Sequence, residues 1–304
     1  MSSLTLAYIT AREEPHSEWF FSSLRHQLGE NDPLPKVMVV DRLFDPINRF
    51  PHGAGYVGPM QRTAPKPTVW QGPHRLTKED WFAMANARNT ALCLCDTDWI
   101  AYVDDLSVLM PAWLGCVKEA ISGSYNVAGA YRKVKQLVVE EGIVKSFIPY
   151  SDDVRIRLSM GYKVPCDCDG GWLYGCSCAF RVEDLLAVGG WPEICDGIGS
   201  EDYCLGIALK NAGKPLMYDR RMMTFEAEDL HGIGTPLRRT DKGISPNDKS
   251  HALLGIARSS VYYPNYFPSG GIKAERERVL SGKHFTLVQI PDRDWYDGQL
   301  LAEM

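Results

Sequence analysis

No apolar run in these 304 residues approaches the roughly 18 needed to cross a bilayer. The first residues, MSSLTLAYITAREE, have neither a basic start nor a cleavage-site pattern. They predict a first strand in a cytoplasmic protein and not a signal peptide. An excess of positive charge is also missing: the net charge is −5, which argues against nucleic acid as the principal partner. A disulfide framework is not indicated either, because nine cysteines is an odd number and a chain of this length needs no staples. Cys93/Cys95, Cys166/Cys168 and Cys176/Cys178 are C-x-C pairs without the two-residue spacer of structural zinc sites, so reduced thiols are expected.

What is present is a globular composition, 45% hydrophobic and 23% charged, long enough for one large α/β domain with an appended piece. Charge is uneven along the chain. Residues 42–78 carry six Lys/Arg against one acid, and residues 232–283 carry nine against four. Both read as loops able to face an anionic ligand. The first of them has six prolines and no apolar period, which marks a functional excursion or a flap.

One stretch organises the rest, GGWLYGCSCAFRVEDLLAVGGWPEICDGIGSEDYCLGIALKNAG, from Gly170 to Gly213. Trp172, Tyr174, Cys176, Cys178 and Phe180 alternate with small residues and predict a strand. Its bare face, Gly175 included, suits close approach of a ligand. Glu183 and Asp184 open a helix that Gly189 closes, and a loop with Gly197 and Gly199 follows. Ser200 is placed to N-cap a second helix that buries Cys204, Leu205, Ala208 and Leu209 and ends before Gly213. Glu201 and Asp202 therefore stand in a first helical turn, where acids complement the helix dipole and stay ionised.

Elsewhere, Leu4–Thr10, Val37–Val40, Trp99–Val103 and Pro215–Tyr218 read as strands. Val127–Val134 and Gln136–Val144 read as a pair of strands, and Tyr150–Met160 as a helix. Trp19, Phe20, Leu24 and Leu28 form one helical stripe; Thr77 and Asp80 can cap the helix that carries Trp81, Met84 and Arg88. Arg12 falls in the loop after the first strand, where open α/β sheets bind ligands. Asp41 and the Asp104-Asp105 pair end the second strand and the Trp99 strand.

The ordered set Phe180-Arg181, Val188-Gly189-Gly190-Trp191-Pro192-Glu193, Glu201-Asp202 and Gly213 resembles the acceptor-side segment of GT-A glycosyltransferases of the family 2 type. Ala87-Arg88-Asn89 is similar to a signature that lies beside the nucleotide in that family. Asp104-Asp105-Leu106, aligned on Pro111 and Trp113-Leu114, resembles its D-x-D segment, with leucine where the last carboxylate belongs. The resemblance covers about residues 3–235. It implies a GT-A domain over 1–235, a mixed, mostly parallel sheet flanked by helices, with 236–304 as an extension packed on the core. It further implies a nucleotide-diphospho-sugar donor, a role for Asp41 at the base or ribose, and Mn²⁺ or Mg²⁺ on Asp104, Asp105 and His231, with His251 as the rival histidine. Hard cations with oxygen ligands neutralise a leaving diphosphate. Asp202 or Glu201 would take the acceptor's proton with inversion, and Trp191 would offer an aromatic face to a sugar. Consecutive helical residues diverge by about 100°, which favours Asp202 as base and Glu201 as a binding residue. Asp167 or Asp169 could bond sugar hydroxyls, and the aromatics from Tyr262 to Phe267 read as a stacking surface or an apolar clamp. The acceptor stays open between glycan, protein, small molecule and DNA. Two alternatives stand beside this reading: a phage-type DNA glycosyltransferase acting on a hydroxylated base, and a non-catalytic sugar-nucleotide or glycan-binding relative.

Overall fold

A computed structural model describes residues 3–30, 32–49, 55–68, 83–196, 200–231 and 271–286. In chain order the elements are β1 (Leu4–Thr10), α1 (Ser17–Arg25), β2 (Lys36–Asp41), β3 (Met60–Thr63), α2 (Met84–Leu94), β4 (Trp99–Asp104), β5 (Ser107–Leu109) and α3 (Trp113–Gly123). They continue with β6 (Asn126–Glu140), β7 (Ile143–Asp152), α4 (Val154–Leu158), β8 (Cys166–Asp167), β9 (Ser177–Arg181), α5 (Val182–Ala187), α6 (Glu201–Asn211), β10 (Leu216–Ala227) and α7 (Gly271–Leu280). One mixed sheet runs in the order β3-β2-β1-β4-β9-β6-β10-β5, with β7 beside β6 and β8 beside β10. The run β3-β2-β1-β4 is parallel, and β9 lies antiparallel between β4 and β6.

Alternation along β1 divides the core into two layers. Leu6 and Tyr8 join Phe20, Phe21 and Leu24 of α1 and Trp113 and Val117 of α3 on one side. Ala7 and Ile9 join Ala91 and Leu92 of α2 and Leu205 and Leu209 of α6 on the other. Strands buried on both faces read as apolar runs, which is why β1, β2 and β4 were legible as such. Helix α7 adds to the second layer through Ile272, 2% exposed, and ties down α2 through Arg276, which donates from Nε and Nη2 to the Cys95 carbonyl at 3.1 and 2.7 Å.

Several sequence expectations are corrected. The strand expected from Trp172 begins only at Ser177; Gly170–Trp172 is a short 3-10 turn. The backbone ahead of the strand is satisfied by side chains instead of a ladder. Asp169 accepts from Gly171 N at 2.8 Å, Arg155 donates to the Trp172 carbonyl, and Asp202 accepts from Gly175 N at 3.2 Å. Strand β6 does not stop near Lys135. It continues to a turn at Glu141 and Gly142, both at positive φ, with Gln136 as an irregularity inside it. The helix expected from Tyr150 shrinks to α4, capped by Asp153, which accepts from Arg155 N at 2.9 Å. Ser200 occupies the N-cap of α6 at φ 71° without a side-chain bond.

Within the proline-rich stretch 42–78, residues 60–63 form an edge strand. Lys66 is buried, with its N–H on Thr90 Oγ1 at 2.8 Å and its ammonium 2.8 Å from Glu193. That part is fixed to the core. The expected Thr77–Asp80 cap, Trp81, Gly197, Gly199, His251 and the Tyr262–Phe267 aromatics lie outside the described residues.

Candidate active site

The ends of β1 and β4, the start of α6 and the end of β10 meet around two arginines. Arg88, on α2, is 2% exposed. Its Nη2 donates to both oxygens of Asp104, at 3.0 and 3.1 Å, and its Nη1 donates to Glu201 Oε1 at 2.8 Å. Below it the Trp191 ring centroid is 4.5 Å from Cζ. One guanidinium therefore joins the carboxylate that ends β4 to the one that begins α6. Room for it exists because residue 175 is glycine: a Cβ there would stand 2.5 Å from Arg88 Cζ. The close approach expected at Gly175 is made by Arg88, from inside the protein.

The second arginine, Arg12, donates from Nε to Asp105 Oδ1 at 3.0 Å and from Nη1 to the carbonyls of Leu230 and His231 at 3.3 and 2.7 Å. Its Nη2 lies 3.3 Å from His231 Nδ1. Guanidinium has no acceptor, so Nδ1 must accept and the imidazole proton resides on Nε2. Although His231 as a whole is exposed, desolvation of its ring and the Arg12 charge lower its pKa. Thr10 Oγ1 donates to the other Asp105 oxygen at 2.9 Å. Burial pushes that carboxyl's pKa up against the pull of Arg12.

Asp104, Asp105 and His231, the residues expected to hold a divalent ion, do not fit one as they stand. Both oxygens of each carboxylate are engaged by Arg88, Arg12 or Thr10, and Nδ1 of His231 is engaged by Arg12. Leu106, at the third position of the D-x-D segment, is 1% exposed at φ 58° and bonded through its backbone to Pro15 and Ala227, so it offers no substitute ligand. Among the described residues no group of three His, Cys, Asp or Glu side chains is arranged to hold a metal ion.

Asp202 accepts from Gly175 N at 3.2 Å and from Tyr203 N at 2.7 Å. Desolvation and the neighbouring Glu201 charge raise its pKa to about 6, outweighing Arg88 and the backbone donors. Helix-start placement favours a low value, and burial together with the Glu201 charge works against it. Glu226, near the end of β10, is a residue sequence reasoning missed. It is 6% exposed, shares a hydrogen bond with Cys176, and is raised to about 7 by desolvation and then by Asp104. The signal available was an acid two residues after Thr224 at the end of a strand that also carries Asp219, Arg220 and Arg221, which is weak.

Two further expectations change. Trp191 is fully buried, edge-on to Tyr102 and Phe180 as well as under Arg88, so it shows no face to a sugar. Asp41, 1% exposed, accepts from Leu43 N at 2.9 Å and is paired with Arg49. Arg49 also reaches the carbonyls of Arg12 and Glu13, so Asp41 braces the loops after β1 and β2. Asp167 is paired with Lys210 at 2.8 Å, and Asp169 caps the turn at Gly171.

No family model and no characterised protein matches the sequence. Solved structures do. TarS 1-349 of S. aureus aligns with a TM-score of 0.51 at 13% identity, over 74% of this chain and 60% of that one. The same protein in complex with UDP-GlcNAc aligns at 0.55 and 12%, over 97% of this chain and 73% of that one. GalNAc-T7 with UDP, GalNAc and Mn²⁺ aligns at 0.56 and 13%, over 84% of this chain and 49% of that one. This chain has the GT-A fold, and it spans about 60% and 49% of the length of TarS 1-349 and GalNAc-T7 in those alignments. Among the described residues no helix is long and apolar enough to cross a membrane.

Proposed function

We propose that this protein transfers a sugar from a nucleoside-diphosphate sugar to an acceptor hydroxyl, with inversion. The observation that carries the reading is Asp202: a carboxylate raised to about 6, in the first turn of α6 beside Glu201, which Arg88 joins to Asp104 at the end of β4. A general base with a pKa close to working pH combines ionisation with proton affinity. In the proposed step the acceptor O–H gives its proton to Asp202. The acceptor oxygen attacks the anomeric carbon from the face opposite the diphosphate, and the bond to the phosphate oxygen breaks with its electron pair leaving on the diphosphate. Arg12 and the Nε2–H of His231 supply positive charge and a donor for that leaving group. Glu201 keeps Arg88 in register, and Arg88 in turn keeps Asp104 at the end of β4. The UDP-sugar in one structural neighbour and UDP in another support a UDP donor.

Incubation with UDP- and GDP-sugars, followed by assay of released nucleotide, tests the proposal. Turnover by the natural protein and a drop of about a hundredfold or more in Asp202→Asn are expected. The buried Leu106 favours a second reading, a non-catalytic sugar-nucleotide binder, which predicts binding of the donor without turnover.

A further inference from the structure

We propose that Tyr131 and Tyr174 form the stacking face of an acceptor subsite for a neutral saccharide ring beside Asp202. The inference rests on the sugar-transfer reading and names its acceptor class. Tyr174 immediately precedes Gly175, whose N–H is bonded to Asp202, so the ring is tied to the proposed base across a single residue. Tyr131, on β6, has its ring centroid 5.6 Å from that of Tyr174 at an interplanar angle of 55°. Both residues are partly exposed.

The pair is braced from within. Arg155, 2% exposed, is locked onto the buried Asp153 through Nε and Nη2, at 2.8 and 2.7 Å, and donates to the Gly129 carbonyl at 2.9 Å. Its Cζ lies 3.9 Å from the Tyr174 ring centroid, 4.9 Å from Tyr218 and 5.9 Å from Tyr131. A cation held this way is committed to protein partners, and what it does is fix the rings. Rings fixed before binding lose little freedom when a ligand stacks on them.

An aromatic face alone would accept a sugar or a nucleobase. The surroundings decide between them. Cys176, two residues beyond Tyr174, is bonded to Glu226, whose carboxyl is in turn coupled to Asp104, while Asp202 and Glu201 lie on the α6 side. Carboxyl oxygens accept O–H donors, and the guanidiniums of Arg88 and Arg155, which could attract a phosphodiester, are buried and paired. A hydroxyl-rich, uncharged ring matches this wall; a nucleic-acid strand does not.

Saturation-transfer NMR on the full chain tests the subsite, with UDP present and two probes: mixed methyl glycosides of glucose, galactose, mannose and N-acetylglucosamine, and a short oligothymidylate. Transfer to ring C–H protons of at least one glycoside is expected. Tyr131→Ala and Tyr174→Ala should each weaken its binding about tenfold, while Tyr174→Phe keeps it within about twofold. UDP binding, followed in the same samples, reports that each variant is folded. Absence of any glycoside signal, an unchanged signal in both alanine variants, or preference for the oligothymidylate overturns the proposal. Failure of the natural protein to bind UDP would sink the sugar-transfer reading instead, whereas UDP binding with no glycoside signal sinks the subsite alone.

Discussion

Asp202 and Glu226 are both carboxyls whose pKa is lifted chiefly by loss of water, yet their consequences run in different directions. For Asp202, raised to about 6, the ionised form is the working form. Turnover should climb as pH rises through about 6 and level off above it, and this dependence should vanish from the residual activity of Asp202→Asn; a pH–rate profile shows it. For Glu226, raised from 4.5 to about 7, folding favours the protonated form. Its contribution is full below the unfolded value and is lost as pH rises through about 7. Glu226→Gln, neutral throughout, should therefore melt a few degrees higher than the natural protein near pH 8, about 1–3 kcal/mol of relief. The gap should close near pH 5, which thermal melts at the two pH values would show. Arg12 carries a third expectation. Because it already engages Asp105 and His231, EDTA should change UDP affinity less than about threefold, whereas Arg12→Ala should cost about tenfold by calorimetry. A reversed order would show that an ion takes its place.

The stretch Gly170–Gly213 shows what was legible in the sequence and what was not. Its order of small residues, Gly-Gly-Trp and Glu-Asp located α5, α6 and the carboxylates at the start of α6, because helical periodicity and helix-ending glycines are local signals. Residues 172–176 were misread as strand because alternation from Trp172 satisfies a period of two equally well when the backbone is bonded to Asp169, Arg155 and Asp202, residues near and far in sequence. Trp191 was misplaced for a similar reason: an aromatic after Gly-Gly signals a packed or an exposed ring alike until Arg88 is seen above it. Gly175→Ala tests the element directly. A methyl group 2.5 Å from Arg88 Cζ must displace the guanidinium from Asp104 and Glu201. A loss of about 1–3 kcal/mol in chemical denaturation is expected, with turnover falling more than UDP binding. An unaffected protein would mean that Arg88 has room to retreat.

At the scale of the molecule, the doubly covered sheet was legible because continuous apolar runs and intervening amphipathic helices admit few other architectures. Glu226 and the Tyr131–Tyr174 pair were not, since β10, β6 and the segment ahead of β9 come together only across long stretches of chain. The hold of α7 on the second core layer is open to a simple test. Ile272→Ala should lower unfolding free energy by about 2–4 kcal/mol, given that the side chain is buried against the α2 layer. A change confined to a few tenths would mean that α7 is a passenger on the surface.

The nearness of Gly175 to Arg88 also has a bearing on descent. Neither position can be altered first without harm: a side chain at 175 collides with the guanidinium, and a shorter residue at 88 strands Asp104 and Glu201. Lineages that share this cleft should therefore keep arginine and glycine together or relinquish them together. A relative with a bulkier residue at 175 but arginine still at 88 would need a new backbone path between the turn at Gly170 and strand β9.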